Sequence, residues 1–136
     1  MKQVIKAPPQ LKGEVMPPGD KSISHRAAML NAISQGSAHI SNFCVGNDRL
    51  SMLRCLRGLG VRITRHADCT ITNSHECFEI RGVGLDGLRE PSNILNAGNS
   101  GTTMRLMTGI LAGASIDATL IGDASLSRRP MARVAE

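Results

Sequence analysis

The sequence predicts a mixed α/β (α+β) fold with an internal duplication, on three observations. Segments with helical apolar spacing are interspersed with short segments of strand character. Glycines stand where helices should close. The order of elements also recurs. Arg26 matches Arg105, Gly36 matches Gly113 and Asp48 matches Asp123, at offsets of 79, 77 and 75.

The elements follow in order. "QVIKAP" reads as a short strand stopped by Pro8 and Pro9, and "LKGEVMPPG" as a second, weakened by Gly13. Residues 22–35 read as a helix, with Ile23, Ala27, Leu30 and Ile33 at helical spacing and Gly36 just past its end. "SAHISNF" alternates as a strand. "GNDRLSMLRCLRGLG" is a second helix, capped by Asn47 or Asp48, with Leu50, Leu53 and Leu56 on one face and Gly60 ending it. "VRIT", "CTIT" and "CFEIRG" read as three short strands. "NAGNSGTTMRLMTGILAG" is a glycine-rich approach to a helix bearing Met104, Met107, Ile110 and Leu111, closed by Gly113. "SIDATLIG" is a strand, and "DASLSRRPMARVAE" begins a further helix. That helix has no C-cap and no strand after it. The expectation is therefore an N-terminal piece of a longer protein, or one completed by a partner chain, with apolar faces left partly uncovered.

Composition narrows the function classes. The 136 residues are 41% apolar and 20% charged, an ordinary globular balance. Phe43 and Phe78 are the only aromatics, so the core must be aliphatic, with methionines filling gaps. A net charge of +5 leans toward anionic partners. Without like-charge blocks or aromatic stacking platforms, nucleic-acid binding is not expected. Cys44, Cys55, Cys69 and Cys77 form no C-x-x-C pair, and His25, His39, His66 and His75 show no metal spacing. Glu76 and Glu79 have no obvious partner. Free thiols, no apolar leader and no run of transmembrane length suggest a cytoplasmic protein without a membrane partner.

Three stretches could carry chemistry. In "PPGDKSISHR", Lys21 begins a helix, where the dipole favours anions rather than cations. Asp20 or Ser22 can cap it. Ser22 and Arg26 lie one turn apart on one face. A hydroxyl, an ammonium, a guanidinium and free backbone N–H groups there suit a carboxylate or phosphate. An ordinary capped helix with solvated charges fits the spacing equally well. In "NAGNSGTTMR", Gly98 and Gly101 flank Asn99 and Ser100, and the backbone can approach an anion closely. In "GDASLSRRPM", Pro130 pushes Arg129 toward an extended conformation. Taken alone, this last stretch reads as a helix start with surface arginines.

In this order the three motifs resemble the 5-enolpyruvylshikimate-3-phosphate synthase family, from about Gly13 to Glu136. The resemblance implies β-α-β-α-β-β units, here one full unit and part of a second. Residues 1–15 would belong to the other globular domain of a two-domain enzyme. Residues 16–136 would form an incomplete substrate-binding domain, its repeat spanning about 20–90 and 91–136. The implied reaction transfers the enolpyruvyl group of phosphoenolpyruvate to the 5-hydroxyl of shikimate 3-phosphate and releases phosphate, with no metal or cofactor, in a monomeric enzyme. Lys21 would contact both substrates. Ser22 and Arg26 would bind shikimate 3-phosphate. Gly101 and Arg129 would hold the phosphoenolpyruvate phosphate, with Asn99 and Arg105 supporting. Leu106 stands where some members have proline, and Gly101 leaves room for the inhibitor glyphosate. The later catalytic residues of the family are absent, so the chain alone is expected to be inactive. A UDP-N-acetylglucosamine enolpyruvyl transferase is the alternative enzyme, although "GDKS" replaces its usual "GAKN". A non-catalytic anion-binding fragment needing a complementary chain is the third reading.

Overall fold

Asp20 starts the first helix, α1 (Lys21–Ala32), by accepting a hydrogen bond from Ile23 N at 2.7 Å. The structure, a computed structural model, describes residues 3, 4, 6, 7, 9–67 and 77–135. α1 ends earlier than its spacing suggests, because Gly36 (φ 92°) lies inside strand β1 (Gln35–Ile40) and does not cap the helix. The apolar stripe is also not the face that packs. Ile23 and Leu30 are 68% and 62% exposed, whereas Ser24, His25, Ala28, Met29 and Ala32 are buried. Local hydrogen bonds make the polar members of that face tolerable inside. Ser24 Oγ donates to Asp20 O at 2.7 Å and accepts from Cys44 N at 2.9 Å. His25 Nδ1 bonds Lys21 O at 2.7 Å. Ala28 and Ala32 then let the helix lie close against the sheet.

Helix α2 (Asn47–Gly58) takes Gly46 as N-cap, without a side-chain cap bond from Asn47 or Asp48. Leu53 and Leu56 are buried as their spacing suggests, joined by Met52 and Cys55, while Leu50 is half-buried. Its end is closed by Gly60 N to Arg57 O at 3.0 Å and Val61 N to Leu56 O at 3.1 Å. Strands β2 (Arg62–His66) and β3 (Cys77–Val83) follow. The expected "CTIT" strand lies outside the described residues. The sheet order is β1-β3-β2, antiparallel throughout, and it places Ala38, Ile80 and Ile63 in one register row. Ile80 and Ile63 turn inward to the core. Phe43 meets Phe78 edge-on at 5.0 Å, the one aromatic pair in an otherwise aliphatic core.

The second repeat opens on β4 (Leu95–Asn96), which the apolar pattern did not suggest. Helix α3 (Gly101–Gly113) crosses over to β5 (Leu120–Ile121), parallel to β4. The expected strand over 115–122 therefore contracts to two residues. The expected final helix is also broken, into a 3₁₀ turn at Leu126–Arg128 and α4 (Ala132–Ala135). Pro130 is the cause: it holds Arg129 extended, at φ −81° and ψ 137°.

Among the described residues, 3–20 form no regular element, and the two expected N-terminal strands are absent there. Leu11 and Val15 are 90% and 87% exposed, and no neighbouring strand offers a ladder to most of this segment. Only its end is docked. Asn42 Nδ2 donates to Pro17 O at 3.2 Å, and a Cβ on Gly19 would fall 1.9 Å from Asn42 O. The second repeat copies this arrangement before α3: Ala97 N bonds Ile121 O at 2.8 Å, and Asp123 N bonds Gly98 O at 2.9 Å. Each helix start is thus pinned beside the segment that follows the next strand.

Candidate functional site

Lys21 is the first residue of α1, and no acidic residue stands in that first turn to offset it. The offsetting charge comes from α2 instead. Lys21 Nζ pairs with the carboxylate of Asp48, which sits in the first turn of α2, where the dipole favours it. Ser22 and Arg26 lie exposed on the same side of α1, one turn apart, and neither has a partner among the described residues. An open cleft of about 720 Å³ runs beside Lys21, walled by Pro17–Gly19 and Ile40–Asn42.

The second cluster gathers at the start of α3. Ser100 caps that helix through Thr103 N. Asn99 is held in both directions: its Nδ2 donates to Asp123 Oδ2 at 2.7 Å, and its Oδ1 accepts from Arg129 Nη2 at 3.1 Å. Asp123 Oδ1 also accepts from Leu126 N at 2.7 Å. The Asn99 bond first, and then this backbone bond, hold the Asp123 carboxyl below its ordinary value. Arg105 Nη2 donates to the Pro130 carbonyl at 3.3 Å, just beyond Arg129. Gly101 lies beneath both arginines. A Cβ there would fall 2.8 Å from Arg105 Nη1 and 3.2 Å from Arg129 Nη1. Asn99, Gly101, Arg105 and Arg129 are therefore one constellation, with Asp123 as its anchor.

Helix α2 links the two clusters. Asp48 reaches Lys21, and one turn on, Ser51 meets the second glycine loop. A Cβ on Gly98 (φ 58°) would fall 2.8 Å from Ser51 Oγ. The same two loops are therefore positioned by successive residues on one face of one helix. Asp48 and Asp123 are the site residues that the motifs alone passed over. The signal for them was the repeat, in which they are matched positions. A separate cleft of about 350 Å³ lies between Ser51–Gly58 and Pro91–Gly98. Its Cys55 thiol is pushed up to about 11 by burial, away from the thiolate form that nucleophilic chemistry needs.

Chemically the arrangement presents four cationic side chains, Lys21, Arg26, Arg105 and Arg129, at two helix starts. Asp48 pairs with Lys21, and Asp123 reaches Arg129 through Asn99. This suits a polyanionic ligand.

The chain is similar to known proteins. The family model described as EPSP synthase (3-phosphoshikimate 1-carboxyvinyltransferase) matches residues 5–136. The 3-phosphoshikimate 1-carboxyvinyltransferase of Desulforamulus reducens is 51% identical over 98% of this chain and 30% of its own length. That of Herpetosiphon aurantiacus is 47% identical over 100% and 30% respectively. A solved structure of EPSP synthase from Acinetobacter baumannii superposes with a TM-score of 0.79 at 44% identity, covering 90% of this chain and 26% of that one. The chain thus spans about 30% of the length of the curated relatives it matches.

Proposed function

Because the chain belongs to the EPSP synthase family, we propose that it supplies one wall of the active site of a 3-phosphoshikimate 1-carboxyvinyltransferase. The intact enzyme transfers the enolpyruvyl group of phosphoenolpyruvate to the 5-hydroxyl of shikimate 3-phosphate by addition and elimination, and phosphate leaves. The observation that carries this reading is the Asn99–Arg129 pair over Gly101, in the loop whose Gly98 meets Ser51 of α2, one turn from the Asp48 that pairs with Lys21.

Lys21 stands beside the reacting hydroxyl and contacts both anionic substrates. Ser22 and Arg26 hold shikimate 3-phosphate, Arg26 by a paired bond to its carboxylate. Arg129 grips the phosphate of phosphoenolpyruvate, and the Gly101 backbone N–H reaches it because no side chain intervenes. Asn99 aims the Arg129 fork, Asp123 aims Asn99, and Arg105 steadies the Pro130 carbonyl. Residues 1–15 pack with the other globular domain, and residues 16–136 form part of the substrate-binding domain, with its repeat divided near residue 90. Buried thiols at Cys44 and Cys55 support a cytoplasmic setting, and the enzyme acts as a monomer.

Complementation tests this reading. The chain alone releases no phosphate from the two substrates, and adding the remaining part of the enzyme restores release with shikimate 3-phosphate but not with UDP-N-acetylglucosamine. Turnover by the chain alone, or restoration by the other acceptor, refutes it. The Gly101 cradle adds a second expectation. In the intact enzyme, Gly101→Ala pushes the Arg105 and Arg129 heads aside and fills space that glyphosate needs, so its inhibition constant rises at least about tenfold, a cost of ~1.4 kcal/mol. An unchanged constant removes Gly101 from the inhibitor site.

A further inference from the structure

The outer face of the three-stranded sheet holds two guanidinium groups opposite each other. Arg62 of β2 stands in direct register with Arg81 of β3, and Ser37 of β1 is opposite Arg81 on the other side. Thr64 stands opposite Glu79. Ile63 and Ile80 alternate with these residues and point into the core, so the polar set faces away from α1. Ser37, Arg62, Thr64, Glu79 and Arg81 together line a cleft of about 210 Å³.

Like charges directly opposed on neighbouring strands destabilise a sheet. Neither arginine has a hydrogen-bond or ion-pair partner among the described residues. Glu79 is the one carboxylate in the lining, and its Oε2 lies 3.5 Å from His66 Nε2 without a hydrogen bond between them. His39 stands opposite it in register, with its ring 5.7 Å from that of His66. The Arg62–Arg81 row thus holds two positive charges with the Ser37 hydroxyl beside them, and Thr64 brings a second hydroxyl from the adjoining Glu79 row.

We propose that this cleft is a binding site for a phosphate group, free or as a small monoester. Arg62 and Arg81 donate to its oxygens from either side, and Ser37 and Thr64 donate hydroxyl bonds. The bound anion removes the repulsion that the register imposes. The site lies on the opposite face of the sheet from α1 and shares no residue with the Lys21–Arg129 constellation, so it does not depend on the reaction proposed above.

Arginine modification by phenylglyoxal, mapped residue by residue by mass spectrometry on the intact protein, tests it. Inorganic phosphate slows modification of Arg62 and Arg81 relative to chloride at equal ionic strength. Modification of Arg54 and Arg89, exposed outside the cleft, is unaffected. At phosphate four times its dissociation constant the slowing is about fivefold. Arg62→Gln abolishes the protection of Arg81, and Arg81→Gln that of Arg62, because one anion bridges both. Methyl phosphate protects equally if the site takes esters; protection by inorganic phosphate alone assigns it to the free anion. Equal protection by chloride, no protection, or protection of Arg81 that survives Arg62→Gln overturns the proposal.

Discussion

Lys21→Met in the intact enzyme lowers kcat/KM by about two to four orders of magnitude, matching the ~3–5 kcal/mol lost when one member of a desolvated charge group is removed. The reason is local. Lys21 sits at a helix start that disfavours cations, and the only described charge that compensates it is Asp48. Methionine removes the cation and leaves the Asp48 carboxylate facing two polyanionic substrates, so the variant suffers repulsion as well as a lost contact. Asp48→Asn separates the two effects. It keeps the ammonium but loosens its aim, and the expected fall is smaller, about tenfold. Steady-state phosphate release by both variants, with circular dichroism to show that they fold, makes the measurement. Near-normal turnover in Lys21→Met removes the lysine from the mechanism.

Arg129 gives the second large effect. Arg129→Ala lowers kcat/KM for phosphoenolpyruvate by about two orders of magnitude or more, the ~2–5 kcal/mol typical of truncating one partner of a hydrogen-bonded charge pair. Arg129→Lys keeps the charge but loses the fork that bonds Asn99 and an anion together, so it falls between the parent and alanine. Its loss appears mainly as a raised KM for phosphoenolpyruvate, with KM for shikimate 3-phosphate nearly unchanged. A lysine variant with parental KM, or one that loses both substrates equally, contradicts the assignment of Arg129 to the phosphate of phosphoenolpyruvate.

Much of this architecture was legible in the sequence because it is set by local chemistry. Asp20 reads as a cap and is one; Pro130 reads as forcing Arg129 extended, and it does. Gly101 stands at the glycine-rich helix start the sequence singles out, and a Cβ there would meet two guanidinium heads. The mixed α/β class follows from periodicity and spacing, and the match to EPSP synthase structures bears out that class. The errors have physical causes as well. The two N-terminal strands had strand composition but no ladder to join among the described residues, and a strand cannot satisfy its backbone alone. The final helix had helical composition but was divided by the same proline that places Arg129. In α1 the apolar stripe pointed away from the core, because Ser24 and the Nδ1 of His25 find backbone partners one turn away and the two alanines pack closer.

The sequence by itself determined the capped start of α1 at Asp20 and the glycine-rich approach to α3. These depend on interactions spanning three or four residues, which one stretch of chain contains in full. Only the tertiary structure decided which distant carboxylate meets Lys21 and which meets Asn99. Asp48 reaches Lys21 across 27 positions and Asp123 reaches Asn99 across 24, pairings that exist because α2 and β5 carry them to the two glycine loops. It also decided that Arg62 and Arg81 face each other, since strand register is a property of the sheet and not of either strand.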